Sequence, residues 1–530
     1  MSSCRFIATF VGLTGLACCG QGSSGGAGPT DGGGTDATAG LDGANASDGA
    51  GTEGGPGGPD GAAHDASTPG DASTHDAGIP ITPDAFYVAT SGADTNLGTL
   101  ASPFATLAQA QKAMRASTMV KTTYVRAGTY QPAPSGGNCD WGNAAGSTIG
   151  LDSSDDGETW SGYPPDGYGS AILDGQSTTG NSGGTGGNGT GCAFGASTVK
   201  NLTIVGLQMQ HYLYAGFWGY AATNVTLRAN EVHHTTAATF STAALFVIAS
   251  PGAVIANNYV HDLAYMGIAA SDNSTNGDGM SNTTVSGNVV ANACTWPADT
   301  SGTNNDQNGG DCGGIYFWSQ KTTVSTNLRI TSNVVRDLNT SSMGQGDFGS
   351  CCTVGVYLDD GTNNVVASGN VVSGITSACF MIHGGQDNTL DGNLCDLGPL
   401  GTNAIVSYQP DGFTQMTGNV FEHNVVVAGS TGAGGGYLGI ISPPNPMTIQ
   451  HNAYFNYVGA SVATTSGGGA GNDASPVTEN PDVSCWAPGL PATSPVLAAP
   501  VSFPGLAGGW GPPGFTMPMT GTPPSWPHGC

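Results

Sequence analysis

Residues 355–393 read GVYLDDGTNNVVASGNVVSGITSACFMIHGGQDNTLDGN, and this stretch decides the fold. It holds two short β-rich runs, each of which ends in a glycine turn and leads into a Gly-Asn dipeptide. The two asparagines, Asn370 and Asn393, are 23 residues apart, which suits one coil of three short strands and their turns. One such coil cannot bury its own apolar side, so it must stack on further copies.

The copies are present along the chain, each marked by an asparagine that precedes apolar residues. These asparagines are Asn230, Asn258, Asn288, Asn333, Asn370, Asn393, Asn419, Asn424 and Asn452. An asparagine in this position indicates a turn whose side chains stack as a ladder along the axis. Inside the runs, apolar and polar residues alternate with the two-residue period of a strand. The sequence therefore predicts an all-β fold, a right-handed parallel β-helix (solenoid).

The composition agrees with this fold and restricts the partners. The chain has 530 residues, of which 88 are glycine and only 9% are charged, as expected for a turn-dense solenoid. Its formal net charge of −27 repels nucleic acid and anionic membranes, so we expect neither as a partner. The same charge disfavours an anionic polysaccharide unless a divalent cation intervenes.

The first part of the chain predicts export. Residues 1–19 combine Arg5, the apolar run FIATFVGLTGLA and the sequence CCG, which resembles a bacterial lipoprotein signal with Cys19 or Cys18 as the lipidated residue. Residues 20–84 are rich in Gly, Ala and Asp and predict a disordered linker. We therefore expect an extracytoplasmic protein of the bacterial cell envelope, held at the outer membrane or cell surface through a lipid anchor alone.

Residues 85–480 are predicted to form the β-helix, and the Pro-rich residues 481–530 a closing segment. Ten cysteines follow the signal, and an even number in an exported chain favours disulfides. Cys294–Cys312 would close one long loop, and Cys485–Cys530 would secure the end of the chain. No cysteine spacing is typical of a zinc finger, so no structural metal is predicted.

A family resemblance appears where the solenoid begins. AFYVATSGADTNLGTLASPFATLAQAQKAMR, residues 85–115, resembles the entry segment of carbohydrate-active, pectate-lyase-like β-helix proteins, which include polysaccharide lyases and some glycoside hydrolases. The resemblance extends over roughly residues 85–515 and implies action on glycans. Ser102 and Pro103 suit the start of a helix that caps the open end of the solenoid.

Alignment of the strand openings at Gly267, Gly314, Gly355 and Ala378 predicts two columns of side chains. The first column contains Ser271, Trp318, Asp359 and Ile382. The second column contains Asp272, Ser319, Asp360 and His383. Insertions at roughly Thr295–Asp311 and Asn339–Ser350 lead toward the same coils, and long loops on a rigid solenoid usually build a binding groove.

The first column suggests sugar chemistry. If Leu358 points inward, Asp359 points outward beside Trp318, so that a carboxylate lies next to an aromatic ring that can stack on a pyranose. Hydrolysis needs a second carboxyl group, about 5 Å away for a retaining enzyme and 6.5–9.5 Å away for an inverting one. Asp360, Asp272 and the loop residue Asp311 remain open as that partner. The predicted substrate-binding residues are Trp318, Tyr316, Tyr357 and Lys321.

GVYLDDG also resembles the strand motif of xylosidase-like β-helix hydrolases, in which the first aspartate is the nucleophile. The resemblance assigns that role to Asp359. Those relatives have a Glu acid/base one coil later, where this sequence has Ile382 followed by His383. His383 is therefore a further catalytic candidate.

Two alternatives to hydrolysis remain open. A polysaccharide lyase would use Lys321 as its base and would need calcium, whereas the hydrolase is expected to need no cofactor. A carbohydrate-binding surface protein would turn nothing over. Either way, the predicted protein is a monomer with a polysaccharide or oligosaccharide partner. His233, His234 and His261, which recur near the ladder turns, are interpreted as structural.

Overall fold

The computed structural model describes residues 82–131, 139, 146–178, 189–236, 242–272, 279–295, 311–319, 325–338, 353–375, 377–398, 403–408, 416–429, 438–441, 447–457 and 473–481. The predicted signal with Cys18 and Cys19, almost all of the linker and of the closing segment, Lys321 and the pair Cys485–Cys530 lie outside these residues. Within them, no helix has the length and apolar character needed to cross a bilayer.

Three long sheets of parallel strands wind along the described chain. The first sheet contains β1 Phe86–Val88, β2 Thr122–Val125, β5 Thr159–Gly162, β8 Thr203–Val205, β11 Thr226–Arg228, β14 Val254–Ala256, β17 Thr284–Ser286, β20 Leu328–Thr331, β23 Val365–Ser368, β26 Thr389–Asp391, β29 Val420–Glu422 and β32 Thr448–Gln450. The second contains β4 Ser147–Leu151, β7 Cys192–Ser197, β10 Ala215–Tyr220, β13 Ala243–Ile248, β16 Met266–Asp272, β19 Cys312–Ser319, β22 Thr353–Asp360, β25 Ala378–His383, β28 Asn403–Tyr408 and β31 Leu438–Ile441. The third contains β3 Gly128–Tyr130, β6 Ala171–Asp174, β9 Gln208–Gln210, β12 Glu231–His233, β15 Tyr259–His261, β18 Val289–Ala291, β21 Val334–Leu338, β24 Val371–Ile375, β27 Leu394–Asp396, β30 Val425–Ala428 and β33 Ala453–Asn456.

Successive strands of the chain pass from sheet to sheet, and each strand pairs with its counterpart one coil later. This is the predicted right-handed parallel β-helix. In the short strands the middle residue is buried, as at Ile204, Leu227 and Ile255 of the first sheet. Branched apolar residues at every second position therefore stack into one continuous core.

The asparagine ladder lies at the turn between the first and third sheets. At each rung the backbone N–H and the Nδ2 of one asparagine both donate to Oδ1 of the next, as from Asn333 to Asn370 (3.0 Å each). A residue in the left-handed region precedes each ladder asparagine, for example Gly369 with φ 63°, which explains the Gly-Asn dipeptides. The ladder ends on the carboxylate of Asp473, which accepts from the N–H and Nδ2 of Asn452. Asn419 lies outside this series, in a separate turn where it accepts from the N–H of Asn388.

The capping helix α1 spans Leu107–Ala116 and begins later than Ser102-Pro103 suggested. Thr106 is its N-cap, and Asp94 accepts from the backbone N–H of Thr106 at 2.9 Å. Phe104 instead donates its N–H to Tyr87, so the preceding residues extend the sheet edge before the helix can start.

Three disulfides join described cysteines: Cys139–Cys192, Cys294–Cys312 and Cys379–Cys395. The second of these is the predicted closure of a long loop. The third joins β25 of the second sheet to β27 of the third, and both of its cysteines belong to the buried apolar cluster.

Buried acids hold the segment next to the capping helix. Asp155 is fully buried and forms an ion pair with Arg115 at 2.6 Å. Glu158 is also fully buried, and one of its oxygens accepts from Trp160 Nε1 at 3.1 Å. Burial, followed by the charge of Asp155, raises the pKa of Glu158 from 4.5 to about 8.

We expect Glu158→Gln to change how stability depends on pH. Because the folded protein keeps a proton on Glu158 that the unfolded chain releases above pH 4.5, the free energy of unfolding falls as pH rises toward 8. The glutamine variant should therefore lose less of its melting temperature between pH 5 and pH 8 than the parent protein. Asp156→Asn, at an exposed neighbouring position, is the matched control and should follow the parent. Equal losses in the parent and Glu158→Gln would contradict the prediction.

Candidate active site

Four neighbouring strands of the second sheet, β16, β19, β22 and β25, carry the candidate residues. The pairing places Ser271 beside Trp318 and Trp318 beside Asp359, as the alignment of glycines predicts. In the next coil the prediction is wrong by one residue, because His383 pairs with Asp359.

The error has a clear physical origin. Ala378 pairs with Val354, so the residue opposite Gly355 is Cys379 and not Ala378. Ile382 accordingly pairs with Leu358. A one-residue shift moves every side chain of a strand to the opposite face. The corrected register therefore brings the imidazole of His383 to the carboxylate of Asp359.

The candidate side chains lie on the outer face of the sheet, yet they are buried. Tyr357 and Asp359 alternate with Val356 and Leu358 along β22 and so lie on the opposite face, although Tyr357 belongs to the same buried apolar cluster as those two residues. Tyr357 is fully buried, and Asp359 is 4% exposed. Trp318 and Tyr316 are also buried, so these rings are not the open platform that the sequence suggested.

Asp359 lies at the centre of a group of hydrogen-bond donors. Its Oδ2 accepts from the hydroxyl of Tyr316. Its Oδ1 contacts Nδ1 of His383 at 2.5 Å and accepts from the backbone N–H of Asp360 at 2.9 Å. Three donors thus converge on the two oxygens of Asp359 and hold its carboxylate in one orientation.

Asp360 ends strand β22 in the left-handed conformation, with φ 50°. This conformation turns its side chain toward Trp318, whose Nε1 donates to Asp360 Oδ2 at 2.7 Å. Burial, followed by the negative charge of Asp359, raises the pKa of Asp360 from 3.8 to about 6.

Asp311, at the end of the first insertion, is a third acid of the site. Its Oδ1 accepts from the hydroxyl of Tyr357 at 3.2 Å, and its backbone carbonyl accepts from Tyr265 at 2.6 Å. Burial, followed by the charge of Asp359, raises the pKa of Asp311 from 3.8 to about 7. Sequence reasoning left Asp311 open as one of three partners for Asp359, whereas the disulfide at Cys312 next to it fixes its place.

The remaining titratable groups respond to the same charges. Burial lowers the pKa of His383, but the hydrogen bond and charge of Asp359 outweigh it, so the pKa lies above its usual 6.5. Burial and the carboxylate charges raise the pKa of Tyr316 and Tyr357 well above 10.0, which keeps both hydroxyls as donors.

Two predicted residues are not brought into this group. Asp272 lies two rungs from Asp360 in the same column, through Ser319, and is fully buried with its Oδ1 against Gly279. Lys321 lies outside the described residues.

Three residues of the site also have the atoms needed to bind a metal ion. The ligand atoms of Asp359, Asp360 and His383 lie within 4.8 Å of one another, and among the described residues this is one of three groups with that property.

No protein-family model and no curated protein matches the chain. Solved structures that it resembles include a GH136 lacto-N-biosidase from Eubacterium ramulus, at 12% identity and a TM-score of 0.48, over 71% of this chain and 64% of that chain. Another is XylC in complex with xylose, at 10% identity and 0.43, over 76% and 87%. A third is the A-module of the Azotobacter vinelandii mannuronan C-5 epimerase AlgE4, at 13% and 0.43, over 70% and 93%. At these identities the likeness concerns the β-helical fold, and the activities in those names belong to those proteins.

Proposed function

We propose that this protein is a glycoside hydrolase that acts on a polysaccharide, with Asp359 as its key carboxylate and Asp360 as its proton donor. The observation that carries the proposal is the contrast between these two adjacent side chains. Three donors surround the carboxylate of Asp359, whereas burial, followed by the charge of Asp359, raises the pKa of Asp360 to about 6. Paired carboxyl groups whose environments favour opposite protonation states are typical of acid–base catalysis.

The separation of the two groups favours a retaining reaction. An oxygen of Asp359 and an oxygen of Asp360 lie within 4.8 Å of each other, which is shorter than the 6.5–9.5 Å of inverting pairs. Asp360 would give its proton to the glycosidic oxygen while Asp359 attacks the anomeric carbon and the bond to the leaving group breaks. Asp360 would then take a proton from water as that water releases the sugar from Asp359.

His383 and Tyr316 would act through Asp359. Their hydrogen bonds hold its two oxygens in place and offset part of its charge before the substrate binds. Trp318 would position Asp360 in the same way. We therefore describe these three as positioning residues.

The pH dependence of turnover tests which acid gives the proton. Since Asp360 must be protonated, we expect kcat/KM, which reports the pKa of the free enzyme, to fall as pH rises through about 6. Asp360→Asn should lower kcat by about 100-fold to 10,000-fold and abolish this alkaline limb. Asp311→Asn is the matched comparison and should keep it. A limb near pH 7 that disappears only in Asp311→Asn would assign the proton to Asp311 and overturn our choice.

Turnover itself is tested by incubating the full chain with a panel of polysaccharides, with and without chelator. We expect new reducing ends without ultraviolet absorbance and without dependence on calcium. Unsaturated, absorbing products that need calcium would indicate the lyase, with Lys321 as its candidate base. Glycan binding without any product would indicate a binding protein.

We further propose that the protein works outside the cytoplasm, anchored to the bacterial envelope by Cys19 or Cys18. Three disulfides support an oxidising compartment. Metabolic labelling with a fatty acid, compared between the parent and Cys19→Ala, tests the anchor. Loss of label in the variant is expected, and label that disappears only in Cys18→Ala would move the anchor by one residue.

A further inference from the structure

Histidines from two neighbouring coils stack on the third sheet, away from the candidate active site. His233 of β12 pairs in register with His261 of β15. Their rings lie 4.9 Å apart at an interplanar angle of 18°. Glu231, two residues before His233, shares its side of the strand. Its side chain and that of His261 are partly open to solvent, at 32% and 13% exposure.

The hydrogen bonds of the two rings assign their tautomers. His261 Nδ1 lies 2.7 Å from Asp262 Oδ2, and His233 Nδ1 lies 2.5 Å from Nδ1 of His234. A carboxylate can only accept, so His261 donates through Nδ1; the amide nitrogen of Gln208, 2.7 Å from His233 Nε2, places the proton of His233 on Nδ1 as well. The lone pair of His233 Nε2 therefore accepts from Gln208, and a cation bound at this atom would replace that hydrogen bond.

The other nitrogen of His261 faces a second carboxylate. His261 Nε2 lies 3.2 Å from Glu231 Oε1, and because a carboxylate can only accept, Nε2 donates to Glu231 as Nδ1 donates to Asp262. A divalent cation can replace the proton that lies between these two atoms. Their separation also matches the roughly 3.3 Å between two ligands that each lie 2.0–2.1 Å from a tetrahedral zinc ion.

We propose that Glu231, His233 and His261 form a binding site for a zinc-class divalent cation that links two coils of the solenoid. The ligand atoms of all three lie within 4.8 Å of one another, so modest side-chain adjustment closes them around one ion. Two imidazoles and one carboxylate favour zinc and its transition-metal neighbours over calcium or magnesium. Asp262 is a positioning residue, because its hydrogen bond orients the ring of His261.

This site is independent of the proposed hydrolysis. The metal ligands lie on the third sheet, and the candidate catalytic residues lie on the second. We therefore expect the ion to stabilise the fold and to leave turnover unchanged.

The test is a calorimetric titration of the full chain with zinc after dialysis against a chelator. We expect one site with a dissociation constant of about 1 µM or lower, as three protein ligands allow. Excess zinc should raise the melting temperature by about 3 °C. Glu231→Gln and His261→Ala should each weaken binding at least 10-fold, and Asp262→Asn by about 10-fold with unchanged stoichiometry.

Two other groups of acids and histidines supply matched controls: Asp391, Glu422 and His423, and the catalytic group that includes His383. His423→Ala and His383→Ala should keep the zinc affinity. The proposal is overturned if zinc does not bind, if calcium binds equally well, or if either control variant loses binding while Glu231→Gln keeps it. Should His261→Ala not fold, cobalt absorption of the parent and of Glu231→Gln decides, since only a formed tetrahedral site gives the intense bands.

Discussion

Asp359→Asn is expected to lower kcat at least about 1,000-fold while the protein stays folded. Asparagine has nearly the same shape but can neither attack an anomeric carbon nor carry the charge that Tyr316 and His383 surround. The measurement is the rate of reducing-end release on whichever polysaccharide the parent degrades. Circular dichroism and the melting temperature establish that the variant is folded.

A second readout needs no substrate. The hydrogen bond and charge of Asp359 raise the pKa of His383, so the pKa of this histidine, followed by NMR, should fall in Asp359→Asn. Asp387→Asn, on an exposed turn after the same coil, is the matched control and should change neither rate nor pKa. Full activity in Asp359→Asn would refute the proposed chemistry, and an unchanged pKa would refute the described contact.

Asn333→Ala is expected to lower the free energy of unfolding by about 4 kcal/mol, the largest stability effect that we predict. Asn333 is fully buried, and its Oδ1 accepts two bonds from Asn288. Its Nδ2 donates to Asn370 and to the carbonyl of Val285. Alanine leaves the N–H of Asn288 and that carbonyl buried without these partners. Denaturant unfolding measures the loss.

The control for the ladder lies on the same coil. Thr331→Ala removes a half-buried side chain two residues earlier and should change the free energy of unfolding by less than about 0.5 kcal/mol. If Asn333→Ala costs no more than Thr331→Ala, the ladder bonds contribute little and the stacked apolar core alone holds the coils together.

The fold could be predicted because its signals are local and repeated. Each coil carries its own Gly-Asn turn and its own alternating run, so a wrong register prediction in one coil does not affect the predictions for the other coils. The register of Trp318 and Asp359 followed from glycines that occupy equivalent positions. The next register failed because Cys379, and no glycine, stands at that position, and its small side chain fits the same inner corner.

The candidate site was harder to predict because its contacts bridge long insertions. Tyr357 and Asp311 are 46 residues apart, and no local pattern links them. The burial of Tyr316, Tyr357 and Asp359 likewise depends on the three-dimensional surroundings of the strands, which alternation alone does not specify. The disulfide Cys294–Cys312 was the one available signal, since it places Asp311 at the start of a central strand.

The asparagine ladder gives the solenoid a direction. Between ladder asparagines, the backbone N–H and Nδ2 donate to the Oδ1 of the following coil, and Oδ1 accepts from the preceding coil. Each ladder coil therefore offers its neighbours the same donors and acceptor, and the series ends at the carboxylate of Asp473, which can only accept. A whole coil is therefore an exchangeable unit. After excision of residues 230–257, Asn258 would take the place of Asn230 and accept from the backbone N–H of Leu207. We therefore expect that insertion or deletion of one whole coil leaves the same Asn–Asn hydrogen bonds to form between the coils that become neighbours.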